Sequence, residues 1–377
     1  MIVRSLNKEN KMQEQIPPPF PDQQDFANSH HTMPLASENS IAKVQRFKFH
    51  GDATEYFGIW IVNILLTIVT LSLYAPWAKV RRLRYFYGNT EFFRRRFDFT
   101  GVPKKILIGR LIAIGLYVAI GLVSNYSLIA TAIGALVLYL AVPWLMRATI
   151  RFNARNSKYA NSRFYFSGTT KDSYKIFFLS ILISIFTLGL FFPVTVWMYK
   201  RYCLNHLYVG QLKFELKADW SEYMRAFYIP FLIFIAILAV LGVFGFILGG
   251  LSSFGVLSII QTVFFIVYGL GGLLMLPLVM GRIFITTWNN TTVGNSKFQT
   301  DCNQWRFAWI VASNWVLRVL SIGFLTAWAA IRIHRYKVES LSLILLDDPD
   351  QMMNLAQQDH SAIAEEISDI FDLDISL

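Results

Sequence analysis

The residues with the clearest potential for chemistry are polar side chains inside apolar stretches. Arg318 lies in the middle of the segment Trp315–Leu320. A charge at mid-membrane costs about 3 to 15 kcal/mol, so it must face protein or water. Asn314 precedes it by one helical turn, and Asn63 occupies the matching place in an earlier, similar segment. We expect Arg318, Asn314 and Asn63 to form a polar centre, which either binds a solute or joins the helices by hydrogen bonds.

Signatures of enzyme chemistry are missing from the sequence. It contains no Gly-x-Ser-x-Gly, no His-Glu-x-x-His and no phosphate loop. Cys203 and Cys302 are isolated, and the six histidines are scattered, which predicts neither a disulfide framework nor a metal site. The apolar blocks also lack the Asp and Glu of a proton relay. We therefore predict no catalytic residue, no cofactor and no enzymatic activity.

Three segments resemble one another, and each ends in an aromatic and basic run. Thr70–Leu73 aligns with Thr187–Leu190 and Ser321–Phe324, and an Arg-Tyr pair begins fourteen residues after the first residue of each. Trp, Tyr and basic residues are typical of the head-group level of a membrane, although Gly and Pro at these breaks also suit a broken-helix binding site. The predicted interfacial anchors are Trp77, Arg81, Arg84, Tyr85, Arg201, Tyr202, Trp328, Arg332, Arg335 and Tyr336.

A second motif, Phe-x-Phe-x-Gly, brackets these segments. It occurs at Phe47–Gly51, Phe97–Gly101 and Phe164–Gly168, with weaker echoes at Phe214 and Phe298. Between the segments lie paired apolar blocks. The pattern predicts three internal repeat units, about 47–100, 164–216 and 298–346, separated by helical hairpins, about 106–146 and 227–280.

Composition places the chain in a membrane. Of 377 residues, 54% are hydrophobic and only 16% are charged, against about 25% in soluble domains. Seven apolar blocks approach the roughly twenty residues that cross a bilayer, and they do not alternate as barrel strands would. The predicted fold is all-α, a polytopic transmembrane helical bundle over residues 44–346, between a disordered polar tail (1–43) and an acidic tail (347–377).

The net charge of +11 comes from Lys and Arg beside the apolar blocks. This arrangement predicts a bilayer with anionic head groups as the partner, and no nucleic acid. The residues point to no particular protein partner.

The first repeat unit carries a specific set of residues: Phe47-x-Phe49-x-Gly51, Tyr56–Trp60, Asn63, Thr70-Leu71, Pro76–Lys79, Arg84-Tyr85 and Gly88–Thr90. With these residues the chain resembles the YjgN family of bacterial inner-membrane proteins, over roughly residues 44–345. The resemblance implies a multi-pass membrane protein of the bacterial cytoplasmic membrane and no established activity. Ser72 departs from the pattern, since such proteins usually carry Gly there.

Two topologies remain open at this point. Block length favours seven crossings, with the N-terminus outside and the C-terminus inside. The Lys and Arg count favours four crossings with re-entrant repeat units and both ends in the cytoplasm. The favoured function is a transporter or channel for a small solute or lipid-like molecule; the alternative is a non-transporting membrane scaffold or envelope-associated interaction protein.

Overall fold

The computed structural model describes residues 43–124, 127–160, 162–249 and 254–346. The predicted tails, 1–43 and 347–377, lie outside these residues except for Lys43. Within the described residues the chain is mainly helical. The helices are α1 Ala53–Val69, α2 Ala75–Gly88, α3 Pro103–Ser124, α4 Leu128–Asn156, α5 Thr170–Phe186, α6 Phe192–Asn205, α7 Trp220–Gly249, α8 Phe254–Asn289, α9 Gln304–Leu320 and α10 Thr326–Glu339.

Short strands lie between the helical pairs and together form one sheet. They are β1 Lys43–Arg46, β2 Lys48–Phe49, β3 Thr90–Phe92, β4 Arg95–Phe99, β5 Ser157–Tyr159, β6 Ser162–Phe166, β7 Leu207–Val209, β8 Leu212–Leu216, β9 Thr291–Val293, β10 Ser296–Thr300 and β11 Leu341–Leu345. Each helical pair, α1–α2 through α9–α10, leaves this sheet after one strand and returns to the next.

The sheet corrects the all-α prediction. Its eleven described strands are antiparallel, in the order β1-β11-β10-β9-β8-β7-β6-β5-β4-β3-β2. Only Phe47 separates β1, which pairs with β11, from β2, which pairs with β3, so the sheet closes into a near-barrel. The all-α prediction was wrong because the strands, two to five residues long, are too short to show alternation within the basic links.

A ring of five phenylalanines lines the inside of the near-barrel. Phe47, Phe97, Phe164, Phe214 and Phe298 each contact the next, and Phe298 contacts Phe47, with ring centroids 6.0 to 6.5 Å apart. These are the first aromatic residues of the Phe-x-Phe motifs and their echoes. A cavity of about 220 Å³ beside them is lined by apolar side chains. The motif therefore builds the core of the sheet.

Two helical pairs are long enough to cross a membrane. Their apolar spans are Pro103–Val123, Leu128–Asn156, Trp220–Ile247 and Gln261–Asn289. At 1.5 Å per residue, 21 to 29 residues extend over about 30 to 45 Å, which matches the thickness of a hydrocarbon core.

The three short pairs, α1–α2, α5–α6 and α9–α10, reverse direction where the sequence predicts a break in the helix. The two residues after the aligned Thr or Ser have positive φ, for example 48° at Leu71 and 72° at Ser72. The apolar block of each of these three units therefore folds into two short helices that return to the sheet, in place of one continuous helix. A hydrogen bond of 2.7 Å closes each turn, from the N–H of Ser72 to Thr67 O, of Gly189 to Ser184 O and of Gly323 to Arg318 O.

Candidate functional site

The predicted tyrosine anchors join the two ends of each short helical pair next to the sheet. The hydroxyl of Tyr85 donates to the carbonyl of Asp52, the residue that caps α1, over 2.8 Å. Tyr202 and Tyr336 make the same bond to Thr169 and Asn303, each over 3.2 Å. Tyr85 and Tyr202 are buried. These tyrosines join the first and last turns of a pair, which keeps both ends of the pair at the sheet.

Two of the predicted arginine anchors satisfy carbonyls at the ends of strands. Arg84 donates to Phe99 O (3.2 Å) and Gly101 O (3.3 Å), and Arg335 donates to Gly51 O over 2.7 Å. Among the remaining anchors, Arg201 lies over the ring of Trp197, Arg332 lies over that of Trp328, and Trp77 stacks on Tyr74. Arg81 instead donates to the hydroxyl of Tyr74 over 3.2 Å.

The three residues of the predicted polar centre do not meet. Asn314 is buried; it accepts from Arg332 over 3.2 Å and donates to Ala329 O over 3.1 Å. Asn63 accepts from Arg81 over 3.4 Å in the α1–α2 pair. Arg318 lies in the last turn of α9, and its buried Nε has no hydrogen-bond partner among the described residues.

The structure thus forms two separate Asn–Arg pairs in place of one centre. The sequence carries a signal for them, because each Arg follows its Asn by eighteen residues. That spacing places the two side chains opposite each other once the helices reverse direction.

A basic cleft of about 660 Å³ lies between α1, α2 and α3. Lys79, Arg82 and Arg110 supply three positive charges, and its described lining contains no carboxylate. Asn63 and Thr67 add neutral polar groups, while the remaining lining residues are mostly apolar or aromatic. A cleft with this lining suits a molecule with an acidic group and an apolar part.

Arg110 connects α3 to the turn of the α1–α2 pair. Its Nη1 donates to the carbonyl of Ser72 over 3.2 Å. Since α1 has 17 residues, its far end lies about 25 Å along the helix from the sheet. The guanidinium of Arg110 therefore lies beside the far end of the short pair. Sequence reasoning missed this cleft, because it depends on how α3 packs against α1–α2.

The clefts at the other short pairs have a different charge balance. At α9–α10 a cleft of about 550 Å³ contains Arg306, Arg332 and Arg335, and also Asp52 and Glu339. At α5–α6 a cleft of about 300 Å³ combines Asp172 with basic residues. Carboxylates offset part of the positive charge in both, so the cleft beside α3 is the strongest candidate for an anion.

No group of three or more His, Cys, Asp or Glu that could hold a metal ion occurs among the described residues. His334 packs between the rings of Phe49 and Phe86, with centroids 4.8 and 4.6 Å away. Burial lowers the pKa of His334 to about 4, with a smaller effect from Lys337, so the imidazole is neutral at physiological pH. This histidine is a packing residue where α10 meets the first short pair.

Comparison with known proteins identifies the family. Residues 44–370 match the family described as bacterial protein of unknown function (DUF898). The chain belongs to this family. Two relatives, both named inner membrane protein YjgN, come from Escherichia coli (strain K12) and Salmonella typhimurium; no solved structure matches.

The matches to these DUF898 relatives are partial. The Escherichia coli protein is 32% identical over 142 residues, which is 37% of this chain and 35% of the relative. The Salmonella protein is 37% identical over 70 residues, 19% and 18% of the two chains. The chain therefore spans about a third or less of the length of these relatives. Their names and the four apolar helices of membrane-spanning length place this DUF898 protein in the bacterial inner membrane.

Proposed function

We propose that the four long helices cross the membrane and that the three short pairs enter it from the sheet side and return. Each of the segments that contain strands β3 to β11 carries between three and nine Lys and Arg, whereas the links 124–127 and 251–255 carry none. These basic segments are 78–105, 147–175, 199–226, 281–306 and 332–346. Positive residues are enriched in cytoplasmic loops, which supports a cytoplasmic sheet.

We also infer that the chain contains five copies of one unit, a strand followed by a helical pair, in place of the three repeats and two hairpins that the sequence indicates. The supporting observation is one backbone hydrogen bond that recurs at every helical pair. The N–H of the third residue after each phenylalanine of the ring donates to the carbonyl of the residue at the end of the helical pair. This bond joins His50 to Asn89, Thr100 to Asn156, Ser167 to His206, Lys217 to Asn290 and Asp301 to Ser340, over 2.8 to 3.1 Å.

Cysteine labelling tests the topology. Leu128→Cys and Lys213→Cys would be made in a chain in which Cys203 and Cys302 are replaced by serine; both positions are exposed. In intact spheroplasts, a membrane-impermeant maleimide is expected to label position 128 and to leave position 213 unlabelled until the membrane is permeabilised. Labelling of position 213 from outside would contradict the topology.

We propose that the protein transports an anionic, lipid-like molecule along the α1–α2–α3 cleft. The observation that carries this proposal is the contact of Arg110 with Ser72, which places a positive charge beside the far end of a re-entrant pair. A charge in that place is costly; such charges pair with one another or with backbone carbonyls, and they mark substrate and ion pathways. The apolar lining of the near-barrel cavity does not support a water-filled channel along the sheet axis.

The cleft provides successive contacts for an acidic head group. Arg82 lies nearer the sheet along α2, Lys79 lies one turn closer to the reversal, and Arg110 lies beside the reversal itself. Ile68, on α1, lines the cleft and is also exposed on the outer surface. The acidic head group would pass between the cations, while the apolar part of the transported molecule stays in lipid beside this surface.

Reconstitution in liposomes tests this function. The wild type is expected to move a fluorescent anionic phospholipid between leaflets faster than a zwitterionic one. Arg110→Gln should slow the anionic lipid about tenfold or more, because it removes one charge-assisted contact. The control is Lys104→Gln, an exposed residue of the same helix that does not line the cleft.

Two outcomes would count against transport: equal rates for Arg110→Gln and wild type, or no transport by the wild type. The second would favour the scaffold alternative. That alternative is supported by the four long helices, which leave most of their apolar residues exposed for a partner.

A further inference from the structure

We propose that an anionic phospholipid of the leaflet on the sheet side binds in a second cleft, between α7, α8 and the start of α9. The cleft has a volume of about 280 Å³ and shares no residue with the α1–α2–α3 cleft. This site does not depend on the transport function proposed above.

The deep part of the cleft is suited to an acyl chain. Ile233, Phe234 and Ile237 of α7 face Leu270 and Leu274 of α8 across it. The ring of Phe234 lies directly over Gly271, where a Cβ would be 2.0 Å from its Cε2. An acyl chain would therefore lie on a continuous apolar surface with a flat aromatic floor.

The end of the cleft near the sheet is suited to an acidic head group. Arg282 donates to Gln304 through Nη1 over 3.1 Å. Its Nε is buried and has no hydrogen-bond partner among the described residues. A buried N–H of a guanidinium without a partner is costly, and a phosphate oxygen would satisfy it with a charge-assisted bond. The described lining contains no carboxylate to compete for Arg282.

The order of these groups along the helices matches the order within a lipid. Arg282 lies seven residues before the end of α8 at the sheet, about 10 Å along the helix, while Ile237 lies seventeen residues, about 25 Å, along α7 from the sheet. Trp305, which is exposed, flanks Gln304 at the head-group end. The charge is thus at interfacial depth and the apolar surface is deeper, as a phospholipid of that leaflet requires.

The experiment uses the full chain purified in mild detergent. After delipidation, phosphatidylglycerol is added at increasing concentration and thermal unfolding is followed; phosphatidylcholine and inorganic phosphate are the comparison ligands. Phosphatidylglycerol is expected to raise Tm in a saturable way, and the other two are not. Arg282→Gln should weaken the apparent Kd about tenfold, whereas Arg225→Gln, an exposed arginine of α7, should leave it unchanged.

A second variant tests the acyl part separately. Leu274→Trp fills the cleft and should also weaken phosphatidylglycerol binding, while Leu276→Trp, on the exposed side of the same helix, should not. If Arg282→Gln does not fold, the wild-type titration and the two tryptophan variants still decide the question. The proposal is overturned if phosphatidylcholine or phosphate raises Tm equally, or if Leu274→Trp binds phosphatidylglycerol as the wild type does.

Discussion

Gly101→Ala is expected to lower the free energy of unfolding by about 1 to 3 kcal/mol, the usual cost of overpacking a core. A Cβ at position 101 would lie 2.5 Å from Cε1 and 2.9 Å from Cζ of Phe99. That ring is almost fully buried against Val80 and Phe152, so it has no room to move away. The measurement is thermal or denaturant unfolding of the purified chain in detergent.

The chain contains its own control for this prediction. At the matching place after β8, Leu216 replaces the second aromatic residue and Ala218 replaces the glycine. The double variant Phe99→Leu with Gly101→Ala should therefore recover part of the stability lost in Gly101→Ala, and Ala218→Gly should cost about 1 kcal/mol or less. A Gly101→Ala protein as stable as the wild type would show that the ring can move.

The sequence was sufficient to locate the helix breaks, but it did not reveal the sheet. The breaks depend on local chemistry, and at each break the two residues with positive φ are those that follow the aligned Thr or Ser. The strands depend on distant partners: Lys43 pairs with Leu345, and Phe97 pairs with Tyr159. A strand of three residues carries too little periodicity to be recognised without its partner.

The polar side chains show the same division between local and distant information. Asn63 and Asn314 were predicted to matter because they interrupt apolar segments, and the structure does place both in polar contacts. Their partners were missed because Arg81 and Arg332 were interpreted as lipid-facing anchors. Arg110 was missed as a site residue for a similar reason: its contact with Ser72 spans two helical pairs. Contacts between elements are set by packing, which a single sequence does not display.

Asn314→Ser is expected to destabilise the protein by about 1 to 3 kcal/mol, because it removes one acceptor from the guanidinium of Arg332 and the donor to Ala329 O. The Arg332 guanidinium would keep one bond, to Ser313 Oγ, over 2.8 Å. The measurement is the free energy of unfolding of three variants: Asn314→Ser, Arg332→Met and the double variant that combines them.

The double variant reproduces a combination that the chain already uses. In the α5–α6 pair, the position of Asn314 is Ser180 and that of Arg332 is Met198, so the Asn and the Arg are absent together. If Asn314 and Arg332 stabilise the protein mainly through their contact with each other, the double variant will be more stable than the sum of the two single effects predicts. The expected coupling is about 1 kcal/mol or more. Additive effects would mean that Asn314 acts through Ala329 alone. Coupling would instead show that each short pair needs either a complete polar pair or none, because a half-satisfied guanidinium costs more than an apolar contact.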